Sequence, residues 1–303
     1  MNRRQLLKSG AALTLSSGLP AVARAAQPGV SLRWLGGAML EIEAAGLRVL
    51  TDPCLGEGPE AFVMGDPNEM FDLARGPNVK PHARLTPFPG LRHDRYDLVL
   101  LSHAHEDHFD QAAQAWLDPQ LPMLVPQHEL AAVRQKGFAA SALAHGETRR
   151  IEGPEGVLRI TATPAVHSEN PQVARLLGVG NGYLIEVETG FGAARIYWSG
   201  DSFLVPPVWQ ALKAVQVTGG GQLDVFIPHL GAVGGEGALG QISMGGAQAA
   251  EFAQRLAPKA VLPIHHSTYA LYQEGPEVLQ QHHAELAPRW QLRIPLEGER
   301  IRL

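Results

Sequence analysis

The chain has 303 residues, 45% of them hydrophobic, enough to enclose one large core or two modest ones. A net charge of −5 leaves no basic footprint for nucleic acid, and the single cysteine, Cys54, excludes an intramolecular disulfide. Thirty-three Gly and 23 Pro point to a loop-rich α/β protein and away from a helical bundle.

The chain opens on paired Arg3-Arg4, followed by Leu6, Leu7 and Lys8. A weakly apolar stretch over 10–22 leads to Ala23-Arg24-Ala25, small residues that mark a cleavage point before Ala26. This is the pattern of a twin-arginine export signal, with an ordinary secretory signal or a short anchor as the alternatives. The stretch is short and rich in Ser and Gly for a membrane span. The expectation is a signal over 1–25, one domain over 26–303 with no stable transmembrane span, and the twin-arginine machinery as partner. Delivery would then be to the periplasm or beyond.

Three short apolar runs, 32–35, 39–42 and 47–50, are separated by Gly-containing turns and predict paired strands. From 53 to 94 no periodicity holds, and Gly and Pro recur. So long a stretch reads as a lid or substrate wall, or else as a surface insertion. Its Phe62, Met64, Met70, Phe71 and Phe88 would meet an apolar substrate or pin the loop to the core. Residues 97–101 predict a buried strand. It runs into His103-Ala104-His105-Glu106-Asp107-His108, a His-x-His-x-Asp-His cluster presented at a strand end. Imidazole with carboxylate suits zinc, and also iron or manganese. One compact turn could hardly wrap all four side chains around one ion, whereas alternate members pointing two ways would serve two.

Beyond the cluster, helices are predicted over 111–117, 129–136, 205–215, 246–256 and 276–286. Strands are predicted over 122–125, 157–163, 182–187, 195–198, 223–227 and 261–264. Hairpins first, then strands alternating with helices, favour two packed mixed sheets with helices outside. His167, Asp201, His229 and His265 each stand at a strand end. Asp201 follows Gly200, which permits a tight backbone, and its two oxygens could bridge two ions. His265 and His266 compete, since alternation along an extended segment lets only one point inward. His229 is a candidate acid for the leaving group, or a polar loop residue. His82 and His93 lie in the long loop within possible reach of the site. His128, His145, His282 and His283 read as surface residues, and Cys54 as a small packing residue. The Gly-rich stretches 218–221 and 231–240 match no phosphate-binding pattern and read as flexible loops, the second bordering the site.

His-x-His-x-Asp-His, Thr51-Asp52-Pro53, Ser199-Gly200-Asp201-Ser202 and Pro263-Ile264-His265-His266-Ser267-Thr268-Tyr269 together resemble the metallo-β-lactamase-fold hydrolases. The resemblance runs from about residue 31 to the C-terminus. Within that superfamily it is strongest to the branch of N-acyl phosphatidylethanolamine phospholipase D and the ascorbate-6-phosphate lactonases. His266 departs from that branch's aromatic, Ser267 from its Gly, and Glu106 from a frequent aromatic. The resemblance implies a four-layer αββα sandwich and two divalent ions, Zn2+ first, with Mn2+ or Fe2+ as alternatives. It implies that His103, His105 and His167 hold one ion. Asp107, His108 and His265 hold the other, and Asp201 bridges. It selects His265 over His266 and places Asp52 behind the ligands. The implied chemistry is attack by a metal-activated water, with Asp107 and Asp201 at the reacting centre and His229 the extra catalytic candidate. The implied substrate is a small-molecule or lipid-like phosphodiester, with a lactone or other ester as the alternative. Of other classes, a metal-binding module without turnover and a two-iron oxidoreductase remain.

Overall fold

A computed structural model describes residues 29–219 and 221–303. The expected export signal over 1–25 lies outside the described residues. In chain order the strands and helices are β1 (Ser31–Gly36), β2 (Met39–Ala44), β3 (Leu47–Thr51), β4 (Phe62–Gly65), β5 (Val79–His82), β6 (Leu98–Leu100), α1 (Gln111–Trp116), β7 (Met123–Val125), α2 (Leu130–Gln135), β8 (Ala140–Ala142) and β9 (Thr148–Gly153). They continue with β10 (Gly156–Val166), α3 (Pro171–Leu177), β11 (Val179–Thr189), β12 (Gly192–Trp198), α4 (Pro206–Gly219), β13 (Val225–Ile227), α5 (Gly246–Leu256), β14 (Ala260–Val261), α6 (Glu277–Leu286), β15 (Gln291–Leu292) and β16 (Arg300–Arg302).

Two seven-stranded sheets result, ordered β16-β1-β2-β3-β6-β7-β8 and β15-β14-β13-β12-β11-β10-β9. Tight turns start the first. Ala45 and Gly46, between β2 and β3, both hold positive φ (53° and 77°), which matches the twist of the strands they join. Strand alternation then sorts side chains into three cores. Leu98 and Leu100 of β6 meet Ile196 and Trp198 of β12 between the sheets. Val99, with Leu101 just beyond β6, faces outward onto Phe109, Ala113 and Val133 of the α1–α2 layer. Tyr197 faces the other way onto Phe252 and Leu256 of α5. Each fully buried aliphatic or aromatic side chain contributes about 1.5–3 kcal/mol, so alternation on both sheets fixes the register of all four layers. This is the αββα sandwich expected from the sequence.

Some local expectations are corrected. The stretch 53–94 carries a two-stranded sheet, β4 paired antiparallel with β5. Of the expected strand 261–264 only Val261 pairs as a ladder, together with Ala260 just before it, and Ile264 instead bridges His229. Short edge strands β8, β9, β15 and β16 and helix α3 were not anticipated. No helix among the described residues is long and apolar enough to cross a membrane.

Candidate metal centre

The C-terminal ends of β6, β10, β12, β13 and β14 meet at one rim of the sandwich, where each delivers a candidate ligand or its support. After β6, the amides of His108 and Phe109 both donate to the His105 carbonyl (2.9 and 2.8 Å) and close a tight turn. Asp110 then caps α1 through the Ala113 amide (2.6 Å) and also receives the Gly56 amide (2.6 Å). The ligand loop is thereby fixed to both a helix and the preceding loop. Its side chains separate into two groups.

His103, His105 and His167 bring their ligating atoms within 4.8 Å of one another. The Nε2 atoms of His103 and His167 face each other at 3.1 Å. His108, Asp201, His229 and His265 form the second group. Asp107 joins it, with Oδ2 3.5 Å from His265 Nε2 and 3.8 Å from His108 Nε2. His265 adopts φ of 61°, a left-handed conformation costing a non-glycine residue about 1–3 kcal/mol. Gly200 (φ +59°) admits the approach of Asp201; a Cβ there would meet the Asn181 carbonyl at 2.9 Å and Ser102 Cβ at 3.0 Å.

Hydrogen bonds behind the ligands fix which ring nitrogens are free. His108 donates Nδ1–H to Asp52 Oδ2 (2.7 Å), and His265 donates Nδ1–H to the Leu230 carbonyl (2.9 Å). Both Nε2 atoms are buried, have no hydrogen-bond partner and aim at the Asp107–Asp201 carboxylates. Asp52 also receives the Ser102 amide (2.7 Å) and hydroxyl (2.5 Å), leaving the Ser102 oxygen to accept Nδ1–H of His103 (3.0 Å). Carboxylates and carbonyls behind imidazoles are the usual support of metal-ligating histidines. The orphaned, converging Nε2 atoms of His108 and His265 therefore fit a divalent cation, and the imidazole trio beside them is a second cluster of metal-ligating type. Asp52 lies buried behind the His108 ring, with its carboxylate taken up by His108 and Ser102.

The charges are strongly coupled. Burial opposes ionisation of Asp201, yet His265 and His108 beside it hold its carboxyl well below the usual range. Burial likewise opposes Asp107, which His108 and His265 bring down to about 2. Burial and the neighbouring imidazoles push His103 well down, and burial with His105 takes His167 to about 3, so these two rings stay neutral with lone pairs available. Against burial, the surrounding Asp201, Asp107 and Asp52 raise His108.

His229 has a different role from the one expected. Trp198 donates its indole N–H to His229 Nε2 at 2.6 Å. An indole nitrogen can only donate, so Nε2 is the acceptor and the ring proton sits on Nδ1. That proton goes to Asp201 Oδ1 at 2.9 Å. Both nitrogens are committed and the ring is fully buried, stacked on His265 at 5.2 Å. This geometry orients Asp201; it leaves no lone pair for a metal and no proton facing a leaving group. Trp198, on which the arrangement depends, was missed in the sequence.

The remaining histidines lie apart from both groups. His266 packs on Trp34 (ring centroids 4.8 Å) and does not line the substrate cavity. His82 stacks on Phe62 and reaches the Met64 carbonyl; His93 pairs with Glu43. His128 lies beside Glu129, His145 meets the Gly180 carbonyl, and His282 and His283 sit on α6. Cys54 is fully buried, and burial pushes its thiol well up, which fits a packing residue.

A cavity of about 180 Å³ opens beside His105, Asp107, His167 and Asp201. Met64, Pro67 and Pro77 of the 53–94 stretch form one wall. Val233 and Leu239 bring the Gly-rich loop to it, and Leu177 brings α3, which no sequence expectation included.

With this geometry in place, residues 47–266, well over half of the chain, match the family model described as "Beta-lactamase superfamily domain". A UPF0173 metal-dependent hydrolase from Natranaerobius thermophilus is 28% identical over 174 residues, 57% of this chain and just under two thirds (66%) of that protein. A UPF0173 metal-dependent hydrolase from Methanopyrus kandleri is 26% identical over 264 residues, 84% of this chain and 92% of that one. Among solved structures, an isothiocyanate hydrolase from Delia radicum gut bacteria superposes with a TM-score of 0.69 at 22% identity, covering 89% of this chain and 98% of that one.

Proposed function

We propose, for a chain that belongs to the beta-lactamase superfamily, that it is a metal-dependent hydrolase working with two divalent ions on an ester-type bond. The observation that carries this reading is the set of buried, unpartnered Nε2 atoms of His108 and His265 converging on the Asp107–Asp201 carboxylates, beside the His103–His105–His167 trio. His103, His105 and His167 would hold one ion, Asp107, His108 and His265 the other, with Asp201 between them. Two such ions supply Lewis acidity and lower the pKa of a water, zinc being the first choice and manganese or iron the alternatives.

The chain's own residues do the rest. Asp52 and the Leu230 carbonyl keep His108 and His265 in the tautomer that presents Nε2. His229 holds Asp201 at a fixed angle. Asp107 borders the cavity and lies where it can orient an attacking water as well as bind metal. The apolar wall excludes bulk water from the reacting bond. The same machinery serves a phosphodiester, the bond first expected, and a lactone or carboxylic ester. We read Arg3-Arg4 as part of the same biology, directing the folded chain out of the cytoplasm.

Metal analysis of the purified protein tests the reading directly. About two ions per chain, with hydrolysis lost to a chelator and restored by zinc or manganese, is the expected result. One ion at full loading, or two ions with no turnover of diester, ester or lactone, would overturn it.

A further inference from the structure

Among the described residues, the cavity beside the metal centre contains one charged side chain that is not a candidate ligand, Glu106, and no Lys or Arg lines it. Two cations of the 53–94 stretch are committed elsewhere. Lys80, on the hairpin that forms one wall, binds Asp66 (2.5 Å) and Glu69 (2.6 Å). Arg84 is buried against Glu297 (2.7 Å) and the Leu35 carbonyl (2.7 Å). Beside the candidate ligands and the Gly65, Pro67 and Pro77 wall, the surface comes from Met64, Leu177, Val233, Leu239, Ile242 and Leu271. At about 180 Å³ the space is smaller than the roughly 300–1,000 Å³ of typical ligand pockets.

These facts discriminate by charge. A phosphodiester carries a full negative charge over two oxygens, and proteins recognise such groups with Arg forks, Lys or clustered amides. Here the anion would leave water for an apolar wall and face Glu106. Its desolvation would go uncompensated outside the metals. An uncharged ester or lactone with an apolar body avoids this cost and gains from burying its hydrocarbon part. Resting on the reading of the centre as hydrolytic, we propose that the pocket selects small uncharged carboxylic esters or lactones and excludes anions, with Glu106 and Leu239 as specificity determinants. Water adds to the acyl carbon, the acyl carbon–oxygen bond breaks, and the departing oxygen takes up a proton from that water. The product is a carboxylic acid with an alcohol, or a hydroxy acid from a lactone. At neutral pH this product ionises, so the wall that admits the neutral substrate disfavours the charged product.

Two measurements test this, one independent of turnover. On metal-free protein, NMR titration should show γ-valerolactone perturbing Leu and Met methyl resonances of the pocket. Its opened anion, 4-hydroxypentanoate, should perturb them at least about tenfold more weakly. Equal binding, or tighter binding of the anion, overturns the proposal. On the metal-loaded enzyme, 4-nitrophenyl butyrate and the neutral diethyl 4-nitrophenyl phosphate should exceed the anionic ethyl 4-nitrophenyl phosphate. The margin should be at least about 100-fold, each rate divided by its rate without protein. Leu239→Lys and, at the half-exposed mouth, Glu106→Lys should narrow that ratio at least about tenfold while metal content stays at two. A diester preference in wild type, or an unmoved ratio in both metal-replete variants, would reject the charge selection. Full metal loading without turnover of any of these would instead reject the hydrolytic reading, and the NMR comparison would still decide the pocket.

Discussion

The trio of His103, His105 and His167 contains no carboxylate, whereas His108 and His265 share their space with Asp107 and Asp201. The supports differ as well. In the second half both imidazoles have a fixed acceptor behind them, Asp52 and the Leu230 carbonyl. In the first, His103 rests on Ser102, His105 is held by ring contacts with His103 and His167, and His167 Nδ1 is buried without a partner. Imidazoles backed by acceptors are better oriented and more basic ligands, and losing such a partner typically costs about 10–100-fold in metal affinity. The comparison teaches that the halves should differ in affinity, the carboxylate-bearing half being the tighter. A graded chelator titration followed by metal analysis should therefore show two steps, with the trio emptying first.

The largest expected effect removes the element common to both halves. Asp201→Ala should weaken both ions together and depress turnover by on the order of 1,000-fold or more, since Lewis-acid stabilisation of several kcal/mol is at stake. Two steps preserved at wild-type chelator concentrations would mean that Asp201 does not lie between the halves. Asp52→Asn should be smaller and unequal. It removes the anion directly behind His108, so the tighter step should move about 10–100-fold toward the weaker one, while the weaker, which Asp52 reaches only through Ser102, should move less. A shift confined to the trio would invert the assignment of the two halves.

How far the sequence carried the site follows from the same comparison. The gathering of the candidate residues at one rim was legible because each follows a strand, and strand ends on one side of parallel neighbours must share a rim. Between His265 and His266, alternation left the choice open and the family resemblance made it; in the structure His265 adopts φ of 61° beyond the end of β14. Supports were harder to read. The role of His229 is set by Trp198, 31 residues earlier and on the neighbouring parallel strand, where Trp198 pairs with Ile227. Nothing local to Pro228-His229-Leu230 encodes that contact. The β4–β5 hairpin escaped notice because its ladder matches Phe62 with His82 and Met64 with Lys80, so the apolar residues do not alternate on both strands. Helix α3 did carry a local cue, Asn170 capping with Pro171 at the first turn, but seven residues give too little periodicity to weigh.

The Trp198–His229–Asp201 chain sharpens the comparison at a finer scale. Trp198→Phe keeps the ring but removes the only donor to Nε2, so His229 no longer has its proton fixed on Nδ1. Metal content should stay near two, while turnover falls about 10-fold, the size of a lost orienting hydrogen bond of about 1.4 kcal/mol. Nitrogen NMR of His229 gives the readout that a merely structural role would not move. Wild type should show a single Nδ1–H tautomer, and the variant a mixture. An unchanged tautomer with unchanged rate would show that Asp201 holds His229 without help from the indole.

The smallest effect on the centre is expected from the neighbour of a ligand. His266 stands in a position that the related branch fills with an aromatic. The structure instead packs it against Trp34 at 4.8 Å, with its Nδ1 beside the Ser267 hydroxyl, away from both metal groups and from the cavity. Burial takes its ring down to about 4, so near neutral pH it is an uncharged packing group. His266→Ala should therefore leave two ions bound and substrate preference unchanged. It should lower stability by about 1–3 kcal/mol, because a buried ring is replaced by a small cavity beside Trp34. His265→Ala should do the reverse, removing one ion preferentially. Thermal melts with metal analysis on both variants decide the register of this strand end: if His266→Ala loses an ion while His265→Ala keeps both, the assignment of the adjacent pair must be exchanged.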